Sequence, residues 1–322
     1  MWLIKSDQKT DPQYGKRPTE RTIEEQIHNS IIILDKPSGP KSKEIDQLIK
    51  KIFNVKKVGH HGTLDPQAIG VLPVALDNAT KIMLAFSGLD KEYLGLMHLH
   101  KEVEEKILRE TAKNFVGKIK QLPPVRSAVA RKIREREVYF FEILEIKGRN
   151  VLFKIGCQAG TYIRKICSDI GIAMGINAHL SQLKRTKVGP FALKDSYSLD
   201  KVKKAYELWK TGDEKLLRKI LIPIEYALPH LKKVVISDSA IDPICRGSPL
   251  YVGGIVRIQK NIQKEELVAI YSLKEELVAL GIAKMTSKEM FKNQKGLAVK
   301  TDKVIMKIGT YPRWKSKSAI SE

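Results

Sequence analysis

Gly59-His60-His61-Gly62-Thr63-Leu64-Asp65-Pro66-Gln67-Ala68-Ile69-Gly70-Val71-Leu72-Pro73-Val74-Ala75-Leu76 is a turn-rich stretch that runs straight into an apolar one. Glycine and proline punctuate its first half, the residues that bend a chain most sharply. Asp65 sits at the bend. On pattern alone it reads as a turn aspartate bonding its own backbone, since Asp-Pro is a common turn dipeptide. The other reading is a carboxylate presented to a cleft. His60 and His61 are neighbours, and side chains one apart share no face of a helix or strand. With no further His/Cys cluster nearby, no metal is expected.

Upstream, Ile31 to Leu34 is a short apolar run, read as a buried strand, and Asp35-Lys36-Pro37-Ser38-Gly39-Pro40 breaks it as a loop. Ser42 then reads as an N-cap, with Ile45, Leu48, Ile49, Ile52 and Phe53 on one helix face. Residues 1–29 are polar with balanced charge and read as an irregular arm. Downstream, Tyr93, Gly95, Met97 and Leu99 alternate as in a strand. Tyr93 is either a half-buried core aromatic or a platform for a base. Tyr139 to Ile146 and Val151 to Ile155 flank Lys147-Gly148-Arg149-Asn150, which predicts a hairpin. Ile163, Ile166, Cys167 and Ile170 have helical spacing. Arg164, set among them, is either a surface residue or a partly buried one that needs a carboxylate.

From residue 232 on, short β-rich runs alternate with Gly and Pro, which predicts a small all-β domain. Lys-Glu-Glu-Leu-Val-Ala occurs at 264–269 and again at 274–279, and the β-rich setting favours two neighbouring strands over one helix.

At 322 residues the chain has room for about two domains of roughly 150 residues. It is 43% hydrophobic, enough for a sizeable core, which excludes disorder throughout. The net charge of +22 points to a polyanion, nucleic acid more often than a membrane surface. No run of 18 apolar residues suggests a membrane span, and the polar start lacks a secretory h-region. Cys157, Cys167 and Cys245 are odd in number and have no CxxC spacing, which fits a reducing cytosol and a cytoplasmic location. No GxxxxGK[ST] or GxGxxG motif supports a nucleotide cofactor. Arg126, Arg131, Lys132, Arg134 and Arg136 form a basic segment, either a solvated face or a loop that grips phosphates.

Several of these blocks together resemble the TruB-type pseudouridine synthases: Lys36-Pro37-Ser38-Gly39-Pro40, the Gly59 to Val74 block, Lys91-Glu92-Tyr93, Gly160-Thr161-Tyr162-Ile163-Arg164 and Leu183-Lys184-Arg185-Thr186. Their order and spacing match over most of residues 31–195. Within the family the resemblance is to the archaeal dyskerin-like branch, the catalytic subunit of box H/ACA ribonucleoproteins. It rests on Pro123-Pro124 with the basic stretch after it, on Ala240 to Ser248, on Gly309-Thr310-Tyr311-Pro312-Arg313-Trp314 and on the polar arm. Two positions depart from the pattern. Lys41-Ser42-Lys43 stands where Thr-Ser-His is usual, and His61 where a small residue is usual.

The resemblance implies an α+β fold: a mixed-sheet catalytic domain flanked by helices over 1–231, and a PUA barrel over 232–322. It implies isomerisation of uridine to pseudouridine, in which no atom enters or leaves, so no cofactor is expected. Asp65 would be the catalytic carboxylate. Tyr93 would stack on the flipped base, Arg164 would hold the carboxylate, Leu183 and Tyr162 would wall the uracil slot, and His60 would join the substrate-binding set. Arg126, Arg131, Lys132, Arg134, Arg136, Arg246 and Gly247 are the expected RNA contacts. Guide RNA, rRNA, tRNA and small H/ACA core proteins are the expected partners, with no membrane. A stand-alone tRNA enzyme acting on the T-loop uridine is the alternative, and a non-catalytic RNA scaffold a third. Residues 232–322 hold 17 Lys and Arg against 9 Asp and Glu, so both parts of the chain are basic and a long RNA track is expected across them.

Overall fold

A computed structural model describes residues 1–123 and 132–313. In chain order its strands are β1 (Trp2–Ile4), β2 (Ser30–Lys36), β3 (Val58–His60), β4 (Ile69–Leu76), β5 (Lys91–Leu99), β6 (Gly117–Gln121), β7 (Arg134–Lys147), β8 (Asn150–Cys157), β9 (Ala178–Val188), β10 (Phe191–Ala192), β11 (Ile222–Pro223), β12 (Lys232–Ile236), β13 (Leu250–Tyr251), β14 (Ile255–Gln259), β15 (Leu267–Tyr271), β16 (Leu277–Ala283) and β17 (Leu297–Val304). The α-helices are α1 (Ile23–Ile27), α2 (Ser42–Phe53), α3 (Glu105–Lys113), α4 (Ile163–Ala173), α5 (Leu199–Lys210), α6 (Lys215–Ile220), α7 (Asp238–Cys245) and α8 (Ser287–Lys292).

Two sheets organise the molecule. The larger runs β11-β2-β4-β9-β5-β8-β7-β6, with β3 on β4 and β10 on β9. The smaller runs β1-β14-β12-β15-β16-β17-β13. On one side of the large sheet, α4 buries Ile166, Cys167 and Ile170 in one core with Tyr93, Met97, Phe153 and Ile155. Elsewhere Ile45, Ile49 and Phe53 of α2 pack on Ile32 and Leu34 of β2. That apolar face is the one the spacing predicts, except that Leu48 is exposed. Between the sheets Ile31, Ile33, Val71 and Phe86 share a core with Val235, Ala269, Tyr271, Leu277 and Leu280. Strands β15 and β16 are therefore covered on both faces, which is why they read as nearly continuous apolar runs rather than as alternation.

The repeated Lys-Glu-Glu-Leu-Val-Ala segments lead into β15 and β16, antiparallel neighbours, as expected. The predicted hairpin is β7–β8. Three expectations are corrected. The arm is not irregular: β1 pairs with β14 at the edge of the small sheet, and Thr22 caps α1 through the Glu25 amide with Glu25 reaching back. The region after 232 is not all-β, since α7 and α8 interrupt it. Finally, Lys41 is the N-cap of α2, which frees the Ser42 hydroxyl for another task.

Candidate active site

Strand β4 begins just beyond the turn that carries Asp65, and the turn is tied down on each side. Leu64 and Ala68 are buried, while the Asp65 side chain between them is 49% exposed. The Ser42 hydroxyl exchanges hydrogen bonds with the amide and carbonyl of Leu64, both at 3.1 Å. From the end of β2 the fully buried Lys36 ammonium donates to Pro37 O, Pro66 O and Ala68 O at 2.8, 2.9 and 2.9 Å. A buried cation must be satisfied, and here three backbone carbonyls do it, so the lysine acts as a clasp for the loop. Burial holds the Lys36 amine below its usual range, and the Asp65 charge opposes that shift.

Arg164, in the first turn of α4, meets Asp65 across 99 residues of sequence. Its Nε lies 3.2 Å from Oδ2, and its Nη2 donates to Oδ1 at 3.4 Å. The contact pairs the carboxylate with a guanidinium charge on its α4 side. Arg164 is 54% exposed, so of its two readings the surface one holds for its exposure, yet it does meet a carboxylate, while its neighbours Ile163 and Ile166 are buried.

Tyr93 lies on β5 opposite Arg185 of β9, and their side chains share a face. Tyr93 is buried, directly across the ladder from Arg185. Burial pushes the phenol above its ordinary range, and the guanidinium opposes the shift. Leu183, two residues before Arg185 on the same face, stands opposite Gly95. Tyr162 is the N-cap of α4. Its amide donates to Gln121 Oε1 at 3.0 Å and its carbonyl accepts from Gln121 Nε2 at 3.2 Å, which ties it to β6. His60 donates Nδ1–H to Asp46 Oδ2 at 2.8 Å, and its Nε2 sits 3.2 Å from the Thr63 hydroxyl.

Among the expected RNA contacts, Arg126 and Arg131 lie outside the described residues. Lys132 is exposed. Arg134 opens β7 opposite Gln121. Arg136 packs against Gly160 in the loop leading to Tyr162, its Nε 3.1 Å from where a Cβ would stand. Arg246 and Gly247 follow α7 in the small sheet's domain, with Arg246 paired to Asp242 at 2.9 Å. Lys36, Gln121 and Arg185 are site residues that the sequence reading did not single out. Among the described residues no group of three His, Cys, Asp or Glu side chains is arranged to hold a metal, and no helix is long and apolar enough to cross a membrane.

Against known families, residues 50–163 match the TruB family pseudouridylate synthase N-terminal domain. Residues 164–229 match the tRNA pseudouridylate synthase B C-terminal domain, 232–305 the PUA domain and 1–46 the DKCLD (NUC011) domain. A protein of Methanopyrus kandleri named "Probable tRNA pseudouridine synthase B" is 50% identical over 312 residues, 97% of this chain and 92% of that protein. One of the same name from Methanocaldococcus jannaschii is 47% identical over 98% of this chain and 94% of its own length. A chain from a crystal structure of a Cbf5-Nop10-Gar1 complex superposes with a TM-score of 0.90 at 47% identity, covering 98% of this chain and 96% of its own. One from an H/ACA RNP bound to a substrate RNA containing 2'-deoxyuridine gives 0.89 at 45% identity, over 97% and 96%.

Proposed function

The chain belongs to the TruB family of pseudouridine synthases, RNA isomerases, and on that premise we propose that it works as the guide-dependent catalytic subunit of an H/ACA particle, with Asp65 as its catalytic carboxylate. The observation that carries the site reading is the meeting of Asp65 and Arg164, 99 residues apart in sequence.

The target uracil must leave its stack, which costs a few kcal/mol. Stacking on the Tyr93 ring returns about 1–3 kcal/mol. Leu183 and Tyr162 close the slot, and His60 braces the turn through Thr63. The reaction needs an ionised carboxylate, whether it attacks carbon or takes a proton. Arg164 orients that carboxylate through one hydrogen bond and the ion pair beside it, and the half-exposed carboxylate stays open to substrate.

Sequence choice falls to base pairing with a guide, and the protein supplies phosphate contacts. Arg134 and Arg136 flank the slot, and Arg246 and Gly247 extend the track to the PUA domain. Lys56, Lys57, Lys81 and Lys307, with Asp77 among them, line an open groove of about 550 Å³. Burial lowers the Lys81 amine, with further lowering from Lys303, Lys307 and Lys57, a crowd of cations suited to a polyanion. RNA affinity is therefore expected to fall steeply with salt. The small core proteins named with the structural relatives, Nop10 and Gar1, are the expected partner class. Ribosomal RNA is the expected guided substrate, which places the enzyme in ribosome biogenesis. The cytoplasm is its proposed compartment, consistent with three free, buried cysteines.

The names of the sequence relatives favour a second reading, direct action on the T-loop uridine of tRNA. Assays of purified protein on bare tRNA, and on an rRNA fragment with and without guide RNA, separate the two. Guide-independent activity on tRNA with no guide binding would sink the first.

A further inference from the structure

Arg185 is 1% exposed and faces no carboxylate. Its guanidinium instead meets three different parts of the site. Nε donates to Val71 O of β4 at 2.8 Å, Nη2 donates to Gly62 O of the Asp65 turn at 2.7 Å, and Tyr93 on β5 stands directly opposite Arg185 in the sheet. Burying a lone cation is costly, and a planar fork of five donors is the side chain able to recoup that cost at several acceptors at once.

The backbone around it is shaped to admit it. Gly62 has φ +68°, and a Cβ there would stand 3.2 Å from Arg185 Nη1. Gly70 has φ +102°, and a Cβ there would stand 2.2 Å from Arg185 O. Both glycines belong to the block that carries Asp65, so turn and strand close directly onto this one residue. Arg185 thus bonds the Asp65 turn while standing opposite Tyr93 in the sheet.

We infer that Arg185 is a positioning residue for the isomerisation: it sets the Asp65 turn and the Tyr93 ring at a fixed separation, so that a uracil stacked on the ring presents its ribose to the carboxylate. The inference rests on the assignment of Asp65 and Tyr93 made above. It treats Arg185 as acting through those two residues and not as touching RNA. A misplacement of about 1 Å between reacting groups can cost about 10²-fold in rate, so the effect belongs in the chemical step and not in binding.

The test compares Arg185→Lys and Arg185→Met with the parent enzyme, in the presence of whichever guide and core proteins support parent activity. Thermal midpoints, RNA affinity and single-turnover rate at saturating RNA are measured below every midpoint. Lysine keeps the charge but has no fork to span both carbonyls. The expected result is unchanged RNA affinity with a single-turnover rate down by about 10²-fold for both variants. In a Tyr93→Phe background Arg185→Lys should cost far less, because the hydroxyl on which the guanidinium acts is gone. A parent rate for Arg185→Lys, or fully additive effects of the two substitutions, overturns the inference. Should the Arg185 variants fail to fold, Gly62→Ala keeps Arg185 but pushes the turn away from it, and it must show the same loss of rate with unchanged affinity. A parent rate for that variant overturns the inference too. Asp65→Asn is run alongside. If it remains active, the site reading itself has failed, whereas an inactive Asp65→Asn beside a fully active Arg185→Lys refutes the role of Arg185 alone.

Discussion

Arg21 and Glu225 form a two-point ion pair, Nη2 to Oε1 at 2.8 Å and Nη1 to Oε2 at 3.0 Å, with the Glu225 side chain only 1% exposed. The pair joins the N-terminal arm to the segment just before the small sheet. Leu277 at the start of β16 also donates its amide to Glu225 Oε1, at 3.2 Å. Arm, catalytic unit and PUA domain thus converge on a single carboxylate.

Removing the cation strands that carboxylate in a dry site. Breaking a buried pair from one side costs about 3–5 kcal/mol. Arg21→Ala is expected to lower the unfolding free energy by that order in urea titrations, and Glu225→Gln in the same background should recover part of the loss. An Arg21→Ala variant as stable as the parent would remove this pair from the account of how the arm is held.

Arg164→Ala should behave in the opposite way. A buried Arg164 would make this variant costly in stability as well as in activity. With both side chains of the pair about half exposed, the contact is worth about 0.2–1 kcal/mol at most. The thermal midpoint is therefore expected to stay within a few degrees of the parent, while pseudouridine formation drops sharply because the carboxylate loses its orientation. A large fall in midpoint would contradict the half-exposed placement of Arg164.

His61 supplies a pH prediction. Burial, with the Lys91 and Arg185 charges behind it, holds its imidazole down at about 4, and its ring packs edge-on to Phe86. The unfolded chain takes up this proton near pH 6.5 and the folded chain near 4, so between those values the unfolded state binds more protons. Stability from this group is complete above pH 6.5 and is lost as the pH falls toward 4. Urea titrations from pH 7 to pH 4 should show that decline, and His61→Ala should flatten it. An equal decline in both proteins would assign it elsewhere.

Much of the architecture is legible in sequence because periodicity and turn chemistry agree there. The 3.6-residue face of α2, the alternation of β5 and the Gly-bearing turn of β7–β8 all stand where residue spacing puts them. The arm misleads because its polar sequence is fixed by distant partners, Glu276 for the Lys16 amide and Glu225 for Arg21, which no local pattern carries. The site divides in the same way. Asp65, Tyr93 and Arg164 announce themselves through their motifs. Lys36 and Arg185 sit inside the same motifs without standing out, since a basic residue in a basic chain reads as surface. The available signal was strand alternation: Arg185 lies two residues past Leu183 and so must share its face, on the side that holds Tyr93.

On the proposed reading Asp65 performs the isomerisation while the basic surface holds the RNA. The most direct test of that reading is pseudouridine formation and RNA affinity measured together for Asp65→Asn, an isosteric change that removes only the charge. No pseudouridine and nearly unchanged affinity are expected. Pseudouridine formed by Asp65→Asn would contradict that reading.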